Sequence, residues 1–225
     1  LLETDQPSYQ EAIHQALLTQ LGQVEIGQEE KHALLHTLIS SIDFRSHSTA
    51  LHCAIMVRVS DLLAELCGLD EDERQAVHAG AILHDLGKIG IPTRILEYPG
   101  KLEGEDWERM KSHVCITEEI LQGEVSDRVL QIAVRHHETL DGAGYPRGLD
   151  ARSLTLPQRI VAVADIVSAL SEERSYKAAF PLEEVLNILE GMCERGKLCP
   201  QVIGVLRDHR ERIYAEARRA GVETH

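Results

Sequence analysis

Residues 79–92 have the sequence Ala-Gly-Ala-Ile-Leu-His-Asp-Leu-Gly-Lys-Ile-Gly-Ile-Pro. An apolar helical run carries His84 and Asp85 side by side in its interior, and it then breaks at two glycines and Pro92. An imidazole and a carboxylate among Ala, Ile and Leu side chains are costly to bury unless a cation compensates the charge. His offers a neutral nitrogen and Asp two oxygens, so the pair is suited to a site with two metal ions. An incidental polar pair at a solvent-facing helix end explains the dipeptide equally well.

The composition favours a large domain of packed helices. The chain has 225 residues, of which 43% are hydrophobic but only 4% aromatic, so Leu, Ile, Val and Ala must fill the core. A formal net charge of −14 argues against a duplex nucleic-acid binder, which needs a basic surface. A small anionic ligand is still compatible with this charge, because bound cations would reverse the local sign.

Cysteine usage and hydropathy predict a cytoplasmic location. The five cysteines form no Cys-x-x-Cys pair, and reduced thiols in a cytosolic helical protein account for them. No apolar run approaches the ~20 residues of a membrane span, and no signal peptide is visible. The chain begins at Leu1 rather than Met, which suggests a fragment of a longer protein with an upstream module.

Apolar residues at helical spacing predict a succession of helices. Their ranges are about 8–22, 28–42, 47–67, 104–121, 126–138, 156–171, 181–195 and 199–219, and a further helix opens at Asp70 and leads to His84 and Asp85. The first two form an N-terminal helical linker or dimerisation segment, residues 1–44, without identifiable chemistry. Residues 45–225 form the remaining domain.

Four further residues carry side chains of the kind that bind metals. His52 is the only polar member of its helix stripe, although a hydrogen-bonded structural histidine is the commoner reason for such a position. His136 and His137 end their helix, and adjacent imidazoles serve one site only if it wraps around the helix end or holds more than one metal. Asp165 is the single charge on a helix that is apolar on every face, so it needs a partner or a cation.

Two segments have the composition of ligand-binding regions. Residues 139–150 contain turn residues throughout and present one tyrosine and one arginine, which favours a ligand contact over a plain turn only weakly. Beyond the Asp165 helix, Arg174, Tyr176 and Lys177 form a basic and aromatic group. Such a group suits phosphate or base contacts, and a solvated surface is the alternative.

Taken together, these residues resemble the HD-GYP family of cyclic di-GMP phosphodiesterases, part of the HD superfamily of metal-dependent phosphohydrolases. The resemblance runs from about residue 45 to residue 205 in the order of that family's motifs. It is carried by His52, His84-Asp85 with Gly87-Lys88, His113, His136-His137-Glu138, Asp141-Gly-Ala-Gly-Tyr-Pro146, Asp165 and Arg174-Ser-Tyr-Lys177. Single elements are weak evidence, but the ordered set is specific.

The resemblance implies an all-α fold, an HD-domain helical bundle with additional C-terminal helices, so that residues 45–225 form an HD-GYP domain. It implies two divalent ions per chain, iron or manganese before nickel, magnesium, zinc or cobalt, with Asp85 bridging them. The implied metal ligands are His52, His84, Asp85, His113, His136, His137 and Asp165. Asp85 and Lys88 are the implied catalytic residues. The implied substrate contacts are Lys88, Arg174 and Lys177 for the phosphates and Tyr145 beside the substrate.

The sequence departs from the family pattern near the first histidine. Family members with three metals carry a Glu one helical turn before His52, where this chain has Ser48. A hydroxyl is a poor substitute for a carboxylate, so we expect two ions rather than three. Cys53 and Ile55 replace the family's usual Ser and Arg, which changes the local support of His52.

The predicted function is hydrolysis of cyclic di-GMP to linear pGpG, and on to GMP, in bacterial signalling. One alternative is a catalytically weak binding module that recruits partners such as diguanylate cyclase domains. Another is a phosphodiesterase for a different cyclic dinucleotide, such as cyclic GMP-AMP, or for a nucleotide monophosphate. A homodimer formed through residues 8–42 and an upstream sensory or receiver module are the remaining expectations.

Overall fold

Helices account for all the regular secondary structure of the residues that the computed structural model describes, 47–171 and 179–223. Side chains are described for residues 51–171 and 179–219. The prediction of an all-α fold is therefore confirmed. The predicted helices at 8–22 and 28–42, the Ser48 side chain and the Arg174 to Lys177 group lie outside the described residues.

The helices follow one another with short connections. They are α1 (His47–Leu66), α2 (Glu71–Leu83), a 3₁₀ turn (Leu86–Gly90), α3 (Thr93–Leu96), α4 (Gly104–Lys111), α5 (His113–Leu121), α6 (Asp127–Ala133), α7 (Leu156–Ser171), α8 (Leu182–Glu194), α9 (Pro200–Asp208) and α10 (Arg210–Glu223). The predictions at 47–67, 156–171 and 181–195 correspond to α1, α7 and α8. The short helix α3 was not predicted.

Helix α1 lies at the centre of the core and packs against α2, α7 and α10. Met56, Val59 and Leu63 on its buried face are fully enclosed, and so are Ile160 and Ala164 on α7. The core is built from aliphatic side chains, as the low aromatic content predicts. Helix α2 in turn packs against α6 and α7, which brings the ends of several helices to one place.

The helix that opens at Asp70 ends earlier than predicted. The Asp70 carboxylate caps α2 by accepting a hydrogen bond from the Glu73 amide at 2.8 Å. The α-helix stops at Leu83, so His84 and Asp85 are not in a helix interior but at the junction with the 3₁₀ turn. The chain turns there because it passes directly against α5: a Cβ on Gly87 would lie 1.9 Å from the His113 carbonyl oxygen.

Two other predicted helices are also interrupted. The prediction at 104–121 splits into α4 and α5 at Ser112, whose hydroxyl donates to the Arg109 carbonyl at 2.7 Å and so competes with the helical hydrogen bonds. The prediction at 126–138 ends at Ala133, which leaves His136 and His137 in the turn that follows α6. The prediction at 199–219 splits into α9 and α10 at His209. The first break places His113 at the start of α5, and the second leaves His136 and His137 outside regular helix.

Candidate metal centre

Six buried or partly buried side chains form two groups with the spacing of metal ligands. The inner group is His52, His84 and Asp85, which come from α1 and from the junction after α2. The outer group is His113, His136 and His137, which come from the start of α5 and the turn after α6. Within each group, the ligand atoms lie within 4.8 Å of one another.

Asp85 reaches both groups with its two carboxylate oxygens. Its Oδ2 lies 3.1 Å from His84 Nε2, and its Oδ1 lies 3.3 Å from His113 Nε2. Lys88, one turn of the 3₁₀ segment further on, places its Nζ 2.5 Å from the same Oδ2. One carboxylate therefore joins the inner group, the outer group and a fixed positive charge.

Asp165 on α7 makes a second connection between the groups. Its Oδ1 lies 3.1 Å from His52 Nε2 in the inner group, and its Oδ2 lies 3.6 Å from His137 Nδ1 in the outer group. All seven side chains that the sequence analysis assigns to metals thus come together in one place. His52, which sequence alone favours as a structural histidine, is among them.

Backbone carbonyls fix the orientation of three of the imidazoles. The Nδ1 atoms of His84, His113 and His136 each lie 2.7 Å from the carbonyl oxygen three residues earlier. A carbonyl only accepts, so each Nδ1 carries the proton and each Nε2 carries a free lone pair. Metal-binding histidines are oriented in this way by an acceptor on the distal nitrogen.

Ser168 has the same role for His52, but through a hydroxyl. Its Oγ donates to the His52 carbonyl at 2.8 Å and lies 3.1 Å from His52 Nδ1, from which it is free to accept. Sequence analysis missed this residue. The signal was present, because Ser168 follows Asp165 by three positions and therefore lies on the same side of α7.

The Nε2 atoms of these histidines lie close to a carboxylate oxygen or to one another. His52 Nε2 and His84 Nε2 are buried and have no hydrogen-bond partner of acceptable geometry. His113 Nε2 and His136 Nε2 face each other at 3.4 Å. Buried acceptors that face acceptors are costly unless a positive charge lies among them. The donor set, imidazole nitrogens with two carboxylates, fits divalent transition metals.

Electrostatics keep most of these groups in the protonation state that metals require. Burial raises the pKa of Asp85, but His84 and Lys88 lower it more, so it lies well below its usual value. Burial lowers the pKa of His113, lowers that of His136 further, and brings that of His137 to about 4. Carboxylates are therefore charged and these imidazoles neutral near pH 7.

His84 differs from the outer histidines. Burial lowers its pKa, but the adjacent Asp85 carboxylate outweighs this effect and raises the pKa above the usual 6.5. A proton on His84 Nε2 would lie between the imidazole and Asp85 Oδ2, 3.1 Å apart. The inner group thus attracts positive charge into the space between its ligands.

The loop 139–150 is held against the outer group by Glu138. This buried carboxylate accepts hydrogen bonds from the Arg147 and Leu149 amides, both at 2.8 Å, and so points to the loop rather than to the histidines. A Cβ on Gly144 would lie 2.5 Å from Glu138 Cα, so only glycine fits there. The loop is a turn structure, as predicted.

Tyr145, at the tip of this loop, covers the outer group. Its ring lies 4.6 Å from that of His137 with an interplanar angle of 30°. Burial, then the charges of Asp165 and Asp85, raise the pKa of Tyr145. The hydroxyl is therefore protonated at any physiological pH and available as a hydrogen-bond donor beside the centre.

Thr117 on α5 ties the 3₁₀ turn to the centre and was also missed by the sequence analysis. It accepts a hydrogen bond from the Gly87 amide at 2.8 Å and donates to the His84 carbonyl at 3.2 Å. Its position one helical turn after His113 was the available signal.

Among the described residues, no helix is long and apolar enough to cross a membrane.

A family model described as "HD domain" matches residues 34–202 of this chain. This chain belongs to the HD domain family. The matched segment contains the seven converging side chains, and HD domains bind divalent metal ions. Membership of this family therefore agrees with the divalent-metal binding that the residues of this chain indicate.

Two curated relatives are similar to this chain. The HD domain is 39% identical over 191 residues to the cyclic di-GMP phosphodiesterase response regulator RpfG of Xanthomonas campestris pv. campestris, covering 83% of this chain and 49% of that protein. It is 39% identical over 150 residues to 3′3′-cGAMP-specific phosphodiesterase 3 of Vibrio cholerae, covering 66% of this chain and 33% of that protein. The chain therefore spans half or less of the length of these two relatives.

A solved structure supports the fold. Bd1817 from Bdellovibrio bacteriovorus, described as an HDG"Y"P protein, superposes with a TM-score of 0.62 at 21% identity, covering 82% of this chain and 65% of the other. At that identity the likeness concerns the fold alone. It agrees with the helical architecture of the described residues.

Proposed function

We propose that this HD domain is a divalent-metal-dependent phosphodiesterase that hydrolyses cyclic di-GMP to linear pGpG. The observation that carries the proposal is the pair of histidine groups joined by Asp85 and Asp165, each of which directs one oxygen to each group. Two carboxylates shared between two sets of imidazoles suit a pair of cations rather than one. The relative RpfG, named a cyclic di-GMP phosphodiesterase, supports the choice of substrate.

The inner group would hold one ion and the outer group the other, with Asp85 and Asp165 as shared ligands. Iron and manganese suit this mixture of imidazole and carboxylate ligands. A bound pair of such ions supplies Lewis acidity and lowers the pKa of water. The side chain of Ser48 offers no carboxylate for a third ion.

The chain's own residues position the substrate and stabilise charge. In the proposed reaction a water oxygen bonds to phosphorus, the bond from phosphorus to the 3′ oxygen breaks, and that oxygen takes up a proton. Lys88, held beside Asp85, stabilises negative charge on the phosphoryl oxygens. Tyr145 lies at the edge of the centre as a hydrogen-bond donor, while Arg174 and Lys177 would contact the phosphates.

The test is incubation of the metal-loaded chain with cyclic di-GMP under reducing conditions, followed by chromatography of the products. The metal content is measured on the same sample, and an Asp85→Asn variant serves as the control. We expect pGpG to form with the wild type and not with the variant. Binding of cyclic di-GMP by calorimetry without product, at full metal loading, would contradict catalysis and support an interaction module.

A second candidate substrate is 3′3′-cyclic GMP-AMP, because the similar Vibrio cholerae protein is named as specific for it. The two substrates share the phosphodiester and differ in one base. Comparison of kcat/KM for the two substrates with the same preparation distinguishes them. A higher value for cyclic GMP-AMP would replace the first substrate but leave the proposed metal chemistry intact.

A further inference from the structure

Trp107 on α4 lies outside the metal centre but is connected to it through aromatic rings. Its ring lies 6.1 Å from that of Tyr145, edge to face at 79°, and Tyr145 in turn covers His137. The rings form a continuous path from the outer group to the surface. Trp107 is the only tryptophan in the chain, and 40% of it is exposed.

Trp107 lines two open grooves. One groove of about 640 Å³ is lined by Trp107 with Glu105, Glu108 and Ser112 among others. The other, of about 660 Å³, is lined by Trp107 with Tyr98, Leu102 and Met110 among others. Volumes of about 300–1,000 Å³ are typical of small-molecule sites. A partly exposed indole that lines two such grooves is accessible to a small ligand.

A positive charge is held beside these rings. Lys111 Nζ lies 5.8 Å from the ring centroids of both Trp107 and Tyr145, and its partner Glu108 lies 2.9 Å away. Only part of the Lys111 side chain is exposed, so the ammonium is fixed near the path between the rings. A cation beside aromatic faces suits a ligand that combines an anionic group with a flat base.

We propose that Trp107 is the stacking surface for one purine base of the substrate whose phosphodiester lies at the metal centre. The inference rests on the proposed function and names a substrate-binding residue for it. One ribose separates a base from its phosphate, so a base-binding surface must lie near the metals but not on them. Trp107 meets this condition because its ring contacts that of Tyr145, which in turn contacts His137 of the outer group. Stacking on an indole does not require a particular base.

The first test uses the fluorescence of Trp107 itself, which requires no turnover. The probes are cyclic di-GMP, linear pGpG and ribose 5-phosphate, added to the full chain. We expect the two guanine compounds to quench the emission and ribose 5-phosphate to leave it unchanged. Unchanged emission at guanine-nucleotide concentrations that calorimetry shows to be saturating would overturn the proposal.

The second test compares Trp107→Ala with Trp107→Phe and with Tyr98→Ala. Tyr98 is the matched control, since it is an exposed aromatic residue that lines only the second groove and makes no ring contact with Tyr145. We expect Trp107→Ala to raise the KM for cyclic di-GMP about tenfold or more, with a smaller change in kcat, and Trp107→Phe to restore most of the affinity. Metal content and melting temperature should remain those of the wild type.

The outcomes separate this proposal from the proposed function. If wild-type protein cleaves bis(p-nitrophenyl) phosphate but no cyclic dinucleotide, the proposed substrate is wrong, while the fluorescence test still decides whether Trp107 binds a base. If cyclic di-GMP is hydrolysed and the KM is the same in Trp107→Ala and the wild type, the proposed function stands and the stacking surface is refuted. Equal losses in Trp107→Ala and Tyr98→Ala would also refute a specific role for Trp107.

Discussion

The inner and outer histidine groups are built from similar side chains and differ in access to solvent at one position, because His113 and His136 of the outer group are as buried as the inner residues. His52, His84 and Asp85 of the inner group are all buried, with His84 only 1% exposed. In the outer group the His137 side chain is 27% exposed and its ring is covered by Tyr145 from a surface loop. We therefore expect an ion in the inner group to act as part of the core, and an ion in the outer group to meet the substrate.

The largest expected effect comes from removing the carboxylate that joins the two groups. Asp85→Asn keeps the shape of the side chain but loses one anionic oxygen and part of the attraction for both ions. Metal ions stabilise transition-state charge by several kcal/mol, so we expect activity to fall about a thousandfold or more. Metal content, measured by elemental analysis, should fall for both groups.

The matched control for that variant is Asp61→Asn. Asp61 also pairs with a histidine, His78, at 2.9 Å, but the pair is exposed and lies outside the centre. We expect wild-type activity and metal content from this variant. A loss confined to one ion in Asp85→Asn would show that the two groups are not connected through this carboxylate.

The next effect tests the difference in burial directly, by truncating one histidine from each group. His84→Ala leaves a cavity in the core and removes one of the partners of the buried Asp85, so the free energy of unfolding should fall by about 2 kcal/mol or more. His137→Ala removes a partly exposed ring and should leave the free energy of unfolding nearly unchanged. Urea denaturation and metal analysis of both variants provide the measurement. Equal destabilisation by the two truncations would contradict the distinction between the groups.

Helices with an uninterrupted apolar face were predictable from the sequence, and the junctions that form the centre were less so. Helices α1 and α7 have nearly the predicted limits because their buried faces recur over several turns. The breaks at Ser112 and Ala133 depend on a side-chain hydrogen bond and on packing against distant segments, which helical periodicity does not contain. Those breaks set the positions of His113, His136 and His137.

The candidate metal centre was also predictable from the sequence only in part. The seven proposed ligands followed from a family resemblance carried by an ordered set of residues, whereas single residues left alternatives open. Sequence analysis did not find Ser168, since a serine on an apolar helix usually needs no special explanation. Its partner His52 is 116 positions away along the chain, and only the packing of α1 on α7 brings them together.

A smaller effect is expected from Ser168→Ala, which tests whether the Ser168 hydroxyl orients His52 of the inner group for metal binding. Without this hydroxyl, His52 Nδ1 loses its acceptor, and loss of such a partner typically lowers metal affinity about 10- to 100-fold. Competition with a chelator measures the affinity. Ser60→Ala is the matched control, because Ser60 is buried on α1 and its hydroxyl has no hydrogen-bond partner. If both serine variants release metal alike, the role assigned to Ser168 is wrong.

The smallest expected effect is the pH dependence of the stability of the metal-free protein, to which His84 and the outer histidines contribute with opposite sign. Burial lowers the pKa of His137 to about 4, and His113 and His136 are lowered too, so each binds a proton in the unfolded chain at a higher pH than in the folded one. Their contribution to the free energy of unfolding is complete above pH 6.5 and is lost as the pH falls through the lower folded values.

His84 behaves in the opposite way because Asp85 raises its pKa: its contribution is complete below pH 6.5 and is lost as the pH rises. Below pH 6.5 the contribution of His84 stays constant and that of the outer histidines is lost, so we expect the free energy of unfolding to fall by about 1 kcal/mol or more between pH 6.5 and about pH 4. Urea denaturation of chelator-treated protein at several pH values measures it. His137→Gln should flatten this loss and His84→Gln should leave it unchanged, and equal flattening by both variants would contradict the assignment of the loss to the outer histidines.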